Sequence, residues 1–136
     1  MTYSKKLLHY FYHPKNIGKL KDADGIGEVG NVNCGDVMKI YIKVQKAISG
    51  KNKEKEIIKD IKTETMGCAA AIATSSMITE LAKGKTLEDA EKLDYYSIAD
   101  ALEGMPPGKL HCSVLATEAL KKAIENYRKK KNPKRI

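Results

Sequence analysis

Val37-Met38-Lys39-Ile40-Tyr41-Ile42-Lys43-Val44 alternates with a period of two. Met38, Ile40, Ile42 and Val44 share one face and Lys39 and Lys43 the other, which is the pattern of a half-buried strand. A polar stretch, Ser49-Gly50-Lys51-Asn52-Lys53, then makes a turn, and Ile57, Ile61, Thr63 and Thr65 alternate as the return strand of a hairpin. Its loop, Gln45 to Glu56, is long and charged. Working outward, Ser4 can cap a short helix bearing Leu7, Leu8 and Phe11, which Pro14 ends. Residues 15–33 read as a glycine-rich loop with room for a brief strand at Ile26–Val29. After Cys68, the run Ala69–Lys83 is rich in helix formers, with Ala73, Met77 and Leu81 four apart and Gly84 as a stop. Thr86 with Asp89, and Ser97 with Asp100, resemble capping boxes that open two short helices. Met105-Pro106-Pro107-Gly108 is an extended connector. Leu115, Ala119, Ala123 and Tyr127 predict a long final helix. The expected fold is α+β, with a small, about three-stranded antiparallel sheet and helices packed on one face.

With 136 residues, 42% hydrophobic and 31% charged, the chain is sized for one domain, 1–136, that buries about two-thirds of its unfolded surface. No apolar run reaches the roughly 20 residues that cross a bilayer, and the N-terminus carries neither a secretory h-region nor an Arg-rich transit peptide. A soluble, cytoplasmic protein is expected. The net charge of +8 is concentrated at the end: residues 121–136 hold eight Lys or Arg against Glu125 alone. Such a run from about 128 reads as a solvated basic tail. Tyr127 is the single aromatic among these charges, so stacking on nucleic acid has little support.

Cys34, Cys68 and Cys112 are separated by 34 and 44 residues, which argues against a disulfide framework and offers no CxxC spacing. Gly25-Ile26-Gly27-Glu28-Val29-Gly30 matches the dinucleotide pattern GxGxxG but leads into a strand, where that motif needs a helix N-terminus. It reads as a loop of backbone bends. The cysteines say more. Each stands at the end of a predicted element, Cys34 two residues before Asp36 and Cys112 directly after His111. Thiols at helix starts are favoured as thiolates, so Cys68 and Cys112 should be more reactive than core thiols. Three thiolates with a carboxylate or an imidazole suit zinc or an iron–sulfur cluster. Asp36 and His111 compete for the fourth position, and a labile fourth ligand suits a site that hands its cluster on. Two other readings share these residues: a closed structural zinc site, and a cysteine nucleophile with His111 as base. The second is disfavoured because adjacent residues at a helix start rarely point the same way.

Asn33-Cys34-Gly35-Asp36-Val37-Met38-Lys39-Ile40, Gly67-Cys68-Ala69-Ala70-Ala71-Ile72-Ala73-Thr74-Ser75-Ser76, Gly84-Lys85-Thr86 and Pro106-Pro107-Gly108-Lys109-Leu110-His111-Cys112-Ser113 closely resemble the iron–sulfur cluster assembly scaffold family of IscU and the NifU N-terminal domain. His13-Pro14-Lys15-Asn16-Ile17-Gly18 looks like that family's Asn-Pro-Arg-Asn-Val-Gly. The resemblance implies a scaffold, not a turnover enzyme. It implies Cys34, Cys68 and Cys112 as cluster ligands, with Asp36 and His111 holding Fe2+ or Zn2+ and contesting the fourth position, and Cys112 as persulfide acceptor on a movable, accessible segment. The cargo would be a [2Fe-2S] cluster, or a [4Fe-4S] cluster bridged by a homodimer. The implied partners are a cysteine desulfurase, a ferredoxin as electron donor, a frataxin-like protein and apo iron–sulfur acceptor proteins. The segment read by a DnaK-type chaperone in many relatives is Met105-Pro106-Pro107-Gly108-Lys109 here, lacking its valine, which puts chaperone dependence in doubt. Met66 replaces the family's phenylalanine and should fill an apolar gap.

Overall fold

A computed structural model describes residues 3–31, 35–49 and 53–131. The predicted alternation forms the centre of a three-stranded antiparallel sheet of order β1-β2-β3: β1 (Gly25–Asn31), β2 (Asp36–Ser49) and β3 (Lys53–Met66). Both hairpin strands run further than expected. Lys46 stands opposite Glu56 and Ala47 opposite Lys55, so most of the stretch expected as loop is paired strand; opposite charges across a ladder favour that pairing. The turn expected at Ser49–Lys53 falls largely on residues 50–52, which lie outside the described residues. A bulge also corrects the inward set on β3. Lys43 pairs with Asp60 and Val44 with Ile58, leaving Lys59 extra, and this one-residue shift turns Ile58 rather than Ile57 into the core. Ile58 is fully buried.

The buried face of the sheet, Met38, Ile40, Ile42, Ile58 and Ile61, is covered by α2 (Ala69–Ala82) and α5 (Leu110–Lys131). Glycines decide how closely α5 approaches. A Cβ on Gly25 would come within 2.3 Å of the Ala123 carbonyl oxygen, and one on Gly27 within 2.3 Å of that of Ala119. The GxGxxG string is therefore neither a phosphate loop nor a run of bends: it is a strand with its side chains removed where a helix rests on the backbone. The short helix α1 (Lys5–Tyr12), capped by Ser4, packs on α2. Helices α3 (Leu87–Glu91) and α4 (Tyr95–Ala101) pack on α5. Thr86 caps α3 as expected, but the second capping box is Asp94 with Ser97, so α4 starts one turn before the predicted cap. The edge of β3 is closed by the chain after α1: the Thr63 N–H donates to the Asn16 carbonyl at 2.9 Å and Gly18 N–H to the Thr63 carbonyl at 3.0 Å. The opposite sheet face carries Lys39 and Tyr41, whose hydroxyl donates to Glu64. Among the described residues no helix is long and apolar enough to cross a membrane.

Candidate metal centre

Three elements bring chemistry to one end of the sheet. β2 begins at Asp36, α2 has Cys68 as its N-cap, and α5 begins two residues before Cys112. The connector before α5 is not extended throughout, since Pro107–Lys109 form a 3-10 turn that runs straight into the helix. Gly67 makes the junction possible. A Cβ there would lie 2.5 Å from Asp36 Oδ1 and 2.9 Å from Ala71 Cβ, so only glycine lets the Asp36 carboxylate rest against the turn into α2. Cys34 lies outside the described residues.

Cys112 Sγ stands 3.9 Å from Cys68 Sγ and 3.6 Å from His111 Nε2, and His111 Nε2 stands 3.4 Å from Asp36 Oδ2. The donor atoms of Asp36, His111 and Cys112 all lie within 4.8 Å of one another, and Cys68 joins them through Cys112. A tetrahedral ion with bonds of about 2.0–2.3 Å spaces its ligand atoms roughly 3.3–3.8 Å apart, close to the spacing of these contacts. The donor set is mixed, with soft sulfur, an imidazole of intermediate character and a hard carboxylate, and such a set fits zinc or iron. The imidazole of His111 therefore does turn toward its neighbour Cys112, against the expectation that adjacent residues at a helix start diverge. Both cysteines are free thiols.

The electrostatics correct the expected reactivity of Cys112. The residue is fully buried, and burial pushes its thiol up to about 12, with Cys68 and the Asp36 carboxylate adding to the rise and Lys109 opposing it. Burial outweighs the helix N-terminus because an uncompensated thiolate loses its hydration while the dipole supplies only a partial charge. Cys112 is thus neither accessible nor poised as a thiolate in this state; Cys68 is half-exposed. Met66, expected in an apolar gap, is instead 60% exposed beside the site. Thr74 escaped the sequence reading. Buried on α2, it donates from Oγ1 to the Cys112 carbonyl at 3.3 Å and to the Ala71 carbonyl at 3.1 Å, tying together the two helices that carry the cysteines. No local signal marked it, because Ser75, Ser76 and Thr79 on the same helix are buried hydroxyls too.

Residues 2–134 match the family model described as NifU-like N terminal domain. The chain is 54% identical over 128 residues to the iron-sulfur cluster assembly scaffold protein IscU 1 of Archaeoglobus fulgidus, covering 94% of this chain and 78% of the relative. It is 46% identical over 134 residues to the iron-sulfur cluster assembly scaffold protein IscU of Azotobacter vinelandii, covering 96% and 98%. Among solved structures, a putative iron-sulfur cluster assembly scaffold protein for the SUF system from Fervidobacterium islandicum superposes with a TM-score of 0.65 at 23% identity, over 90% of this chain and 96% of that one. The N-terminal part of a NifU-like protein from Brucella abortus gives 0.65 at 21% identity, over 93% and 94%. These two likenesses establish the fold.

Proposed function

The chain belongs to the family of NifU-like N-terminal domains, and from that premise we propose that it is a scaffold on which iron–sulfur clusters are assembled and from which they are passed on. It acts as one domain, as a sulfur acceptor and cluster donor rather than a turnover enzyme. The observation that carries the reading is the convergence of Cys68, Cys112, His111 and Asp36 from three separate elements.

The proposed ligands are Cys34, Cys68 and Cys112, with Asp36 and His111 at the remaining position and in the early holding of Fe2+. Sulfur reaches Cys112 by thiol exchange: its thiolate attacks the outer sulfur of a cysteine desulfurase persulfide, and the desulfurase thiolate leaves. Two electrons, for which a ferredoxin is the proposed donor, then reduce the transferred sulfur to sulfide. A buried thiol held up to about 12 must first be uncovered or coordinated, and coordination strips the proton from a thiol outright. Asp36 is a hard oxygen among soft ligands, so it weakens retention of the finished [2Fe-2S] cluster and favours delivery to an apo-protein.

Visible circular dichroism during anaerobic loading with Fe2+ and a sulfur source, followed by addition of an apo-ferredoxin, tests this. A cluster should form and move to the ferredoxin within minutes, and Asp36→Ala should slow that release by about tenfold. A cluster that forms and stays would make the protein a terminal carrier. Binding of zinc alone under reducing conditions would make the centre a structural zinc site.

A further inference from the structure

A second set of metal-ligating side chains lies on α1, away from the cysteines. His9 and His13 are exposed, and the His13 N–H donates to the His9 carbonyl at 2.8 Å. The two residues are thus one helical turn apart on the same face. Their ring centroids are 5.2 Å apart with planes tilted by 42°. Two imidazoles bound through nitrogen at about 2.1 Å and separated by a tetrahedral angle place their ring centres roughly 5 Å apart. Among the described residues neither imidazole has a hydrogen bond or ion pair; their contacts are ring to ring, with each other and, for His9, with Tyr10. Nothing must be broken for an ion to enter.

We infer that His9 and His13 form a second, surface metal site for a late first-row divalent ion: Ni2+, Cu2+ or Zn2+. The choice of ion follows from the donors. Two neutral imidazoles without thiolate or carboxylate bind in the order in which Fe2+ stands low and Ni2+ and Cu2+ stand high. Among the described residues no third Cys, His, Asp or Glu completes a compact set with them, so the ion keeps water in its other positions. The site is separate from the cysteine centre. The chain just past His13 is held by Ser76, whose hydroxyl accepts from Lys15 N–H at 2.6 Å, and Ser76 lies about 12 Å along α2 from Cys68 at 1.5 Å per residue. The pair therefore binds Fe2+, the ion that a cluster needs, more weakly than it binds ions that compete for thiolates.

Titration of the full chain with Ni2+, followed by proton NMR of the imidazole signals assigned through His9→Gln, His13→Gln and His111→Gln, tests the inference. The His9 and His13 signals should broaden together, at one Ni2+ concentration. In His9→Gln, about tenfold or more Ni2+ should be needed to affect His13, and the reverse in His13→Gln, because the second imidazole binds intramolecularly. If His13 responds in His9→Gln at the wild-type concentration, the two rings bind as independent single ligands and the inference fails. It fails equally if His111 alone responds. Both variants change exposed side chains, and the readout is at the rings themselves, so failure of the cluster-scaffold reading leaves this test intact.

Discussion

The two ends of α5 are built on opposite terms. At its N-terminal end Cys112 is fully buried, its thiol is raised to about 12 by burial and by the neighbouring Cys68 and Asp36, and Ser113 Oγ is buried with no hydrogen-bond partner among the described residues. At its C-terminal end the Tyr127 hydroxyl donates to Glu56, Lys131 Nζ stands 3.1 Å from the same carboxylate, Lys129 pairs with Glu125 at 2.9 Å and Arg128 with Glu91 at 2.5 Å. The basic side chains of the last turn also suit the negative end of the helix dipole. One helix therefore carries a saturated end that fastens the chain to the β2–β3 hairpin and an end whose thiols, imidazole and carboxylate hold one another only through contacts of 3.4–3.9 Å, which an incoming ion can replace. Saturation is what stability favours. Polar groups held only by long contacts contribute little stability, and they suit a place where a ligand supplies the stronger partner.

This contrast is broken most sharply at the N-terminal end. Cys112→Ser puts a smaller and more polar group in a fully buried place, so folding stability should fall by about 1–3 kcal/mol. Persulfide transfer from a desulfurase should fall by about 100-fold or more, because a hydroxyl does not replace a thiolate nucleophile. Mass spectrometry of the sulfurated chain beside urea unfolding reads both quantities; a serine variant that still takes up sulfur would move the acceptor role to another cysteine. In the middle of the helix the expected loss changes kind. Gly27→Ala drives a Cβ to within 2.3 Å of the Ala119 carbonyl oxygen, and neither backbone can yield cheaply. The loss should be about 1–3 kcal/mol in urea unfolding, with metal stoichiometry preserved in the folded fraction. Equal losses of metal binding and stability would mean that α5 transmits the strain to Cys112.

The fold was legible where periodicity is strong. Met38, Ile40 and Ile42, the Ala-rich run after Cys68, and Leu115, Ala119 and Ala123 each have a pattern that only one element satisfies, and three strands with helices on one face follow from packing those stripes together. The distal hairpin was not legible, because its ladder rests on cross-strand charge pairs such as Lys46 with Glu56, which look like loop composition when read along a single strand. The bulge at Lys59 was hidden for the same reason: register is a property of two strands. At the site, the residue types of Cys68, Cys112, Asp36 and His111 were legible, whereas the burial of Cys112 was not. A helix start predicts a favoured thiolate, and only tertiary packing reveals that water has been removed from it. Gly67 and Thr74 act through contacts with Asp36 and the Cys112 carbonyl, long-range relations that no local pattern encodes.

The smallest expected effect belongs to the saturated end, and its dependence on pH distinguishes a network from a mere contact. Burial works to raise the Glu56 carboxyl, but hydrogen bonds from Tyr127 and Lys131 outweigh it and hold the group below its ordinary value of 4.5. A carboxylate depressed in the folded state contributes stability that is present above the unfolded value and is lost as pH falls through the folded one. Tyr127 is shifted the other way, its phenol raised above 10.0 by burial and by Glu56. Its contribution is present below pH 10.0 and is lost as pH rises through the folded value. Tyr127→Phe removes one charge-assisted hydrogen bond at a partly exposed carboxylate, so it should cost about 1 kcal/mol at neutral pH. The difference between wild type and variant should narrow below pH 4.5, as Glu56 takes up its proton, and should narrow again above pH 10. Urea unfolding at pH 3.5, 7 and 10.5 would read the profile. A difference that stays constant across it would mean that Tyr127 acts through packing against the hairpin and not through Glu56, and the saturated end of α5 would then be held by apolar contact, like its middle.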